Sequence, residues 1–454
     1  MWPKTHFPAL GLLALLALIG YVPRANADVT VLLEEPYSYD GAFAGTGHTA
    51  VYLTRVCADM PVTLRRCGPG ERGLVISRYA RIAGYDWIAI PLVPYLYAVD
   101  NPRDVPLFAD PKMVALLRDR YRRAELEKFA PDGPNGETPK GDWYELVGSA
   151  YDRTNYGFQI KTTAEQDDAF IAWMNSQPNR ANYQFIERNC ADFVREVLNF
   201  YYPHSEPRGN IADLFVSTPK HAAKSLVKYS HRHEDLEFTH FVIPQVPGTV
   251  RRSRPVHGVV ESVFRAKKYV AVLAALHPIV TGGVVSVYLL GDRFNPAKGA
   301  DVLLPSGDLQ AAPTKDERNA YRKELRALEA EDEDGGAKRT GKSWRSFVEH
   351  SHPAFGADGR AVLEVAGSPD SLQLGVTRAN LQIESAPVEV QRQMMISRLT
   401  QELGRSRSAR VSGSELREDW QLLEKLETAR QAGQPEKSAA RAPQRIPPVN
   451  QSSD

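Results

Sequence analysis

Cys190 stands where a cysteine side chain can act as a nucleophile. It follows Asn189, a residue type that caps helix N-termini well, and an apolar stripe that includes Phe193 and Leu198 follows at helical spacing. A helix that begins at Cys190 surrounds the sulfur with unpaired N–H groups and with the positive end of the helix dipole, and both stabilise the thiolate over the thiol. The sequence therefore predicts a reactive thiol, with a buried and inert thiol as the alternative.

His48 is the histidine best placed to act as a base for such a thiol. It follows a glycine-rich turn at 45–47 and opens the strand-like run 48–54. Side chains alternate along a strand, so His48, Ala50 and Tyr52 are expected on one face, where the small Ala50 leaves room for a helix end. The alternative is a histidine that only begins a strand. Together, a thiol and an imidazole predict nucleophilic catalysis.

The other two cysteines predict a disulfide. Cys57 and Cys67 lie in two β-rich runs that flank the turn-like stretch 58–61, so a hairpin brings their side chains within bonding distance. An exported protein meets an oxidising compartment, which favours such a bond. Cys190 is then left over, and an unpaired cysteine in an exported protein forms a dimer, is buried, or is reactive.

The first part of the chain, residues 1–27, has the pattern of a secretory signal. Lys4 gives a positive start, the run 9–22 is apolar and uncharged, and Ala25 with Ala27 forms the small-x-small pattern that signal peptidases recognise. The mature chain is therefore expected to begin at residue 28, in the periplasm or cell envelope. An uncleaved membrane anchor is the alternative, although the run is short for a span.

The composition limits the class of protein. Of 454 residues, 43% are apolar and 24% are charged, and 56 basic residues nearly balance 55 acidic ones. Such a chain folds into one large or two ordinary domains, which excludes wholesale disorder and collagen-like repeats. With a net charge of +1, no nucleic-acid partner is expected.

The elements around the thiol and the imidazole predict an α+β domain over residues 28–205. Residues 28–98 contain short β-rich runs separated by Gly, Pro and Asp, which is typical of an antiparallel sheet. Capping residues and apolar spacing predict three helices that pack on this sheet, at 110–129, 163–178 and 190–203.

The remainder of the chain is divided by its composition. Residues 206–268 form a mixed linker region. Residues 269–290 carry no formal charge and predict either a membrane span or a buried helix and strand, because a proline and two glycines interrupt the run. Residues 313–432 predict a charged, helical C-terminal region with a small hairpin near Ser368, and 433–454 a disordered tail.

The segments GHTAVYL and NCADFV resemble the circularly permuted branch of the NlpC-type papain-like superfamily, which includes the lecithin:retinol acyltransferase-like proteins. In that branch the histidine strand precedes the cysteine helix, whose motif Asn-Cys-x-x-Phe-Val is matched here by Asn189, Cys190, Phe193 and Val194. The resemblance covers roughly residues 40–202. It implies a permuted papain-like domain in which an antiparallel sheet packs on helices.

The family adds a polar residue on the strand after the histidine, which orients the imidazole. If the disulfide sets the register of its hairpin, His48 lies opposite Ile76 and next to Ser77. Ser77 is therefore the expected third catalytic residue, with Thr63 and Arg65 as alternatives. None of the three is the histidine, asparagine or glutamine that is typical of the family.

The resemblance implies acyl transfer through a thioester. Cys190 attacks an amide or ester carbonyl, His48 takes the thiol proton and returns it to the leaving group, and the N–H of Cys190 helps to hold the oxyanion. The expected protein is an exported cysteine hydrolase or acyltransferase, with a peptidoglycan stem peptide as the favoured substrate. A lipid or lipoprotein acyl substrate is one alternative. A non-catalytic envelope protein that keeps the fold for binding or scaffolding is the other.

Two His-x-His pairs have the spacing of metal ligands on a strand. They are His231 with His233 and His350 with His352, and each pair lies among charged residues without a clear third ligand. The glycine-rich stretch 41–47 lacks the lysine of a phosphate-binding loop. No metal or cofactor is therefore expected.

Overall fold

The computed structural model describes most of the chain from residue 27 to residue 303 and smaller parts beyond it. The described residues are 27–37, 46–79, 82–106, 109–140, 142–181, 183–184, 186–208, 213, 216–246, 250, 253–265, 294–303, 350–365 and 371–373, with isolated residues within 282–286, 319–330 and 418–425. The expected signal before residue 27, most of the apolar run 269–290 and the expected tail at 433–454 lie outside them.

The described residues form strands and helices in alternation. The strands are β1 (Ala27–Glu34), β2 (His48–Leu53), β3 (Val56–Met60), β4 (Thr63–Arg66), β5 (Leu74–Arg78), β6 (Trp87–Pro91), β7 (Asn155–Thr162), β8 (Thr239–Ile243), β9 (Asp301–Val302), β10 (Ser351–Phe355), β11 (Ala361–Val365) and β12 (Ser371–Gln373). The helices are α1 (Leu92–Tyr97), α2 (Pro111–Glu125), α3 (Ser149–Asp152), α4 (Ala164–Ser176), α5 (Cys190–Tyr201), α6 (Pro219–Ser230) and α7 (Val259–Arg265).

One seven-stranded sheet organises the domain. Its strand order is β6–β5–β2–β1–β7–β8–β9. Neighbouring strands are antiparallel except for β8 and β9, which are parallel. The prediction of an α+β fold, with an antiparallel sheet packed on helices, is therefore confirmed.

The sheet has an apolar core on each face. On the first face, β2 contributes Val51 to a core that holds Phe193 of α5 together with α4 and α6. On the second face, Ala50 and Tyr52 join a core with α1, α2 and α3. The expectation that Ala50 makes room for the helix end is therefore wrong, since α5 packs on the apolar side chains of the opposite face.

Three predicted helix starts are confirmed. The Asp110 side chain caps α2 and accepts two backbone N–H groups of the first turn at 2.7 and 3.0 Å. Thr163 and Gln166 form the capping box of α4, and α5 begins at Cys190. Among the helices described, none combines the length and the apolar character required to cross a bilayer.

The predicted disulfide between Cys57 and Cys67 is present, with the Cα atoms 4.8 Å apart. It does not set the register of the main sheet. β3 and β4 form a separate two-stranded sheet, in which Cys57 pairs with Arg65. The disulfide therefore cross-links the two strands of a single hairpin.

The register of β2 against β5 differs from the predicted one. Val51, and not His48, pairs with Ile76. The same register continued beyond the paired residues places Tyr79 opposite His48, and the two rings are stacked with their centroids 5.4 Å apart. The residue across from His48 is therefore an aromatic side chain.

The domain continues beyond residue 205, where the sequence predicted its end. Helix α6 lies against β1, and β8 and β9 extend the sheet at the β7 edge. The region 206–268 is therefore not only a linker, because its helix and its strand belong to the sheet and its core.

Part of the C-terminal region is a small antiparallel sheet of β10, β11 and β12. The antiparallel pairing of β11 with β12 confirms the predicted hairpin, and β10 adds a third strand at 351–355, where a helical region was expected. β11 buries Leu363 in the core of the second face. The guanidinium of Arg120 in α2 lies 4.1 Å from the centroid of the Phe355 ring and donates to the Gly359 carbonyl at 2.6 Å. The small sheet is thus fastened to α2.

Candidate functional site

Cys190 is the first residue of α5, and a complete capping box holds its turn. The Asn189 side chain accepts the N–H of Asp192 at 2.9 Å, and the Asp192 carboxylate accepts the N–H of Asn189 at 3.2 Å. Asn189 Nδ2 also donates to the Ser217 carbonyl at 3.1 Å, and Ser217 Oγ donates to Asp192 Oδ1 at 2.6 Å. All of these side chains are buried. Buried hydrogen bonds among Asn189, Asp192 and Ser217 therefore hold the first turn of α5, which carries the sulfur.

A buried guanidinium supports the same turn from the β5 side. Arg78 pairs with Asp86 at 2.8 and 3.1 Å and with Glu196 at 3.1 Å. Its Nη1 donates to the Asn189 carbonyl at 3.3 Å, and its guanidinium lies 5.3 Å from the centroid of the Phe193 ring. A buried charge is tolerated only when it is paired and hydrogen-bonded, so these contacts tie β5 to the first turn of α5.

The Cys190 sulfur lies against the backbone of β2, at the residue that follows His48. The N–H groups of Thr49 and Ala191 interact with the sulfur, and they oppose the larger effect of burial, which raises its pKa. Ser77 Oγ donates to the carbonyl of the same Thr49 at 2.8 Å. Ser77 therefore braces the strand that the sulfur contacts. Its expected position beside the imidazole is wrong, because the register places another residue there.

His48 is held by ring stacking. Its imidazole is stacked on the Tyr79 ring at a centroid distance of 5.4 Å, with 28° between the planes. Nε2 of His48 is buried and has no hydrogen-bond partner in the described part of the chain. The structure thus brings the Cys190 sulfur to the strand of His48 without a hydrogen bond between the sulfur and this nitrogen.

Burial keeps both groups uncharged. It raises the pKa of the Cys190 thiol to about 12, and the negative charges of Glu145 and Glu34 act in the same direction. Burial also lowers the pKa of His48 to about 3, helped by the positive charge of Arg153. The prediction of a stabilised thiolate is therefore wrong, because the loss of hydration outweighs the N–H groups at the start of the helix.

A buried polar cluster beside His48 was missed by the sequence analysis. Glu34 lies opposite His48 in the β1–β2 ladder, and it is 1% exposed. Its carboxylate accepts from Tyr95 Oη and from Ser149 Oγ, the latter at 3.3 Å, and it pairs with Arg153 Nη1 at 3.3 Å. Burial raises the pKa of Glu34.

A second carboxylate extends this cluster. The Arg153 guanidinium lies 4.4 Å from the centroid of the Tyr37 ring, and Tyr37 Oη donates to Glu145 at 3.4 Å. Burial raises the pKa of Glu145 as well. The signal in the sequence was faint. Glu34 ends an apolar strand and Arg153 precedes another, but no spacing connects the two.

Potential metal ligands gather at one place in the described residues, namely Cys57, Cys67 and Glu71, and there the two sulfurs are joined in the disulfide. His233 is stacked on the Tyr229 ring, and the His231 ring lies tilted against Phe238, with the centroids 6.5 Å apart. The His-x-His spacing therefore does not bring these two imidazoles to a common ion.

Comparisons with known proteins identified no relative of this chain. The chain matches no protein-family model, no curated protein and no solved structure. Its function must therefore be inferred from the residues and the geometry of the site.

Proposed function

We propose that this chain is a cysteine-dependent hydrolase or acyltransferase with Cys190 as its nucleophile and His48 as its base. The observation that carries the proposal is the interaction of the Cys190 sulfur with the N–H of Thr49, the residue after His48. The chain order also supports it, because the strand that begins with His48 precedes the helix that begins with Cys190. This order is the one that the resemblance to permuted papain-like proteins implies.

The proposed reaction starts from two neutral side chains. As Cys190 Sγ attacks an ester or amide carbonyl, the C–S bond forms, the carbonyl becomes an oxyanion, and His48 accepts the thiol proton. The N–H of Cys190, at the open end of α5, donates to the oxyanion. His48 then gives the proton to the departing alcohol or amine, which leaves a thioester. Water or a second acceptor takes the acyl group and restores the thiol.

In this proposal Tyr79 takes the orienting role that was predicted for Ser77. Its ring is 3% exposed and stacks on His48, which limits rotation of the imidazole without a hydrogen bond. An imidazole that is held in one orientation spends more time in the arrangement that transfers the proton.

The proposed substrate belongs to the cell envelope. The disulfide in the β3–β4 hairpin supports an oxidising compartment, and the apolar N-terminal run supports export. A peptidoglycan stem peptide offers amide bonds to such an enzyme and remains the favoured substrate. An acyl ester of a lipid or lipoprotein is the other substrate that fits the same chemistry.

A non-catalytic binding or scaffold protein is the second candidate, and the burial of the thiol favours it. Cys190 is 7% exposed, and its pKa is raised. In such a protein the capping box and the Arg78 contacts serve stability alone.

Acylation of the thiol tests the two candidates. The intact chain is incubated with p-nitrophenyl acetate near neutral pH, and its mass is measured. Cys190 is the free cysteine, because the other two are joined. For an enzyme we expect the gain of one acetyl group, which hydroxylamine removes and which Cys190→Ser lacks.

The histidine variant makes the test specific. His48→Gln should slow the acetylation by about a hundredfold if His48 is the base. His231→Gln, on the surface, is the matched control and should leave the rate unchanged. A folded protein that is never acetylated, or that is acetylated equally fast without His48, would favour the scaffold.

A further inference from the structure

Three buried polar groups around His48 have no hydrogen-bond partner among the described residues. They are His48 Nε2, the Tyr79 hydroxyl and Arg153 Nε. A buried donor or acceptor without a partner costs about 1–3 kcal/mol, so native proteins keep few of them. Three in one place indicate a site that is completed by something other than the chain itself.

The three groups belong to one cluster. Tyr79 stacks on His48, with the ring centroids 5.4 Å apart. Glu34, which lies opposite His48 in the ladder, connects the cluster to Arg153 through an ion pair of 3.3 Å. The charge of Arg153 acts on both rings: burial lowers the pKa of His48 and Arg153 adds to this effect, whereas burial raises the pKa of Tyr79 and Arg153 opposes it.

What the cluster lacks is an acceptor. The Tyr79 hydroxyl and Arg153 Nε are donors. The nearest carboxylate is already engaged, because Glu34 accepts from Tyr95 on one oxygen and from Ser149 and Arg153 on the other. The Tyr79 hydroxyl lies close enough to Tyr95 to be affected by it, but without the geometry of a hydrogen bond.

The charged side chains of the cluster indicate whether the missing acceptor is charged or neutral. Arg153 is balanced by Glu34, and Glu145 lies nearby. An added carboxylate or phosphate would therefore meet two acidic groups and one basic group. An uncharged carbonyl oxygen can take both hydrogen bonds without adding a charge to a buried site.

We propose that Tyr79 and Arg153 form a subsite beside His48 that binds an uncharged carbonyl oxygen of the substrate, from an ester or an amide. This inference rests on the proposed function, because the subsite is useful only next to the Cys190 nucleophile. It adds a requirement to the substrate, which must carry a carbonyl group in addition to the one that is attacked.

Two alkylating reagents of nearly equal size test the subsite. Iodoacetamide and iodoacetate both transfer their CH₂ group to a thiol with loss of iodide, and they differ in an amide against a carboxylate. Each rate at Cys190 is measured in the folded full-length chain and divided by the rate in the urea-unfolded chain, which cancels intrinsic reactivity. We expect this folded-to-unfolded ratio to be about tenfold higher for iodoacetamide.

Variants of Tyr79 and Arg153 test whether these two donors cause the preference for iodoacetamide. Tyr79→Phe keeps the stacked ring and Arg153→Lys keeps the charge, and each should reduce the preference about fivefold, which corresponds to one hydrogen bond. Tyr52→Phe is the matched control, because its hydroxyl donates to the Arg72 carbonyl at 2.8 Å and not to the cluster. It should retain the full preference.

The outcomes separate the subsite from the enzyme. Modification by both reagents at equal folded-to-unfolded ratios, a preference for iodoacetate, or a preference that survives Tyr79→Phe and Arg153→Lys would overturn the subsite and leave the reactive thiol standing. A folded Cys190 that neither reagent modifies would overturn the nucleophile and the subsite together.

Discussion

The N–H of Thr49, the residue after His48 in β2, interacts with the Cys190 sulfur at the start of helix α5. Phe193 of α5 packs in one core with Val51 of β2, and Glu34 lies opposite His48 at the start of the same strand. The thiol therefore meets the β2 backbone beside His48, and burial and, in addition, the negative charges of Glu145 and Glu34 raise its pKa.

The first prediction concerns the acidity of this thiol. Because burial raises the pKa of Cys190 to about 12, the folded protein holds a protonated thiol through the neutral range. Alkylation requires the thiolate, so the rate of the folded chain should rise about tenfold per pH unit and show no plateau below pH 10. A plateau near pH 8, followed by mass spectrometry with iodoacetamide, would contradict the raised pKa.

Glu145→Gln identifies one cause of the raised pKa. Removing this negative charge should lower the pKa of Cys190 and speed its alkylation at pH 9 by about threefold or more. Glu127→Gln, on the exposed surface, is the matched control and should have no effect. Equal rates in the two variants would show that the charge of Glu145 does not reach the sulfur.

The second prediction concerns His48 and mild acid. Its pKa is lowered from 6.5 to about 3 in the folded protein, so the unfolded chain binds a proton at a pH where the folded chain does not. The stability from this difference is complete above pH 6.5 and is lost as the pH falls toward the folded-state value. At pH 5 the loss amounts to about 2 kcal/mol.

His48→Gln should therefore reduce the fall in the free energy of unfolding between pH 7 and pH 5 by about 2 kcal/mol, measured by urea titration. The exposed His231→Gln serves as the control, because it should leave the fall unchanged. If His48→Gln loses as much stability as the parent and the control between these pH values, the pKa of His48 is not lowered in the folded protein.

The features that the sequence could predict depend on residues that lie close together in the chain. The capping residues Asp110, Thr163 and Asn189 each act within one turn of their helix, so their patterns can be recognised without the fold. The disulfide joins Cys57 to Cys67 within one hairpin, and it was predicted for the same reason.

What the sequence could not predict depends on the pairing of distant strands. The expected role of Ser77 followed from a register taken from the disulfide, but the hairpin lies outside the main sheet. The partner of His48 is then Tyr79, and the buried ion pair of Glu34 with Arg153 arises only when β1 and β7 are neighbours. The charge state of the thiol follows from burial, which a cap pattern does not reveal.

The third prediction compares a buried arginine of β5 with an exposed arginine of β4. Arg78 is 1% exposed, and Arg78→Met removes its ion pairs with Asp86 and Glu196 and its bond to the Asn189 carbonyl, while Asp86 keeps Arg188 at 2.6 Å; the change should cost about 3 kcal/mol of folding stability. Arg66 pairs with Asp168 on the surface, and Arg66→Met should cost less than about 1 kcal/mol. Urea unfolding of the two variants measures the difference, and equal costs would mean that Arg78 does not support the first turn of α5.

The fourth prediction couples the capping box to the thiol. Ser217→Ala removes the hydroxyl that donates to Asp192 Oδ1 at 2.6 Å and leaves a buried carboxylate oxygen without this donor. We expect a loss of about 1–2 kcal/mol in the free energy of unfolding and faster alkylation of Cys190, because the first turn of α5 opens more often. Ser176→Ala removes a hydroxyl that donates to the Trp173 carbonyl at the exposed end of α4, and it should change neither quantity by much. If Ser217→Ala destabilises the fold but leaves the alkylation of Cys190 at the rate of Ser176→Ala, the capping box stabilises α5 without controlling access to the sulfur.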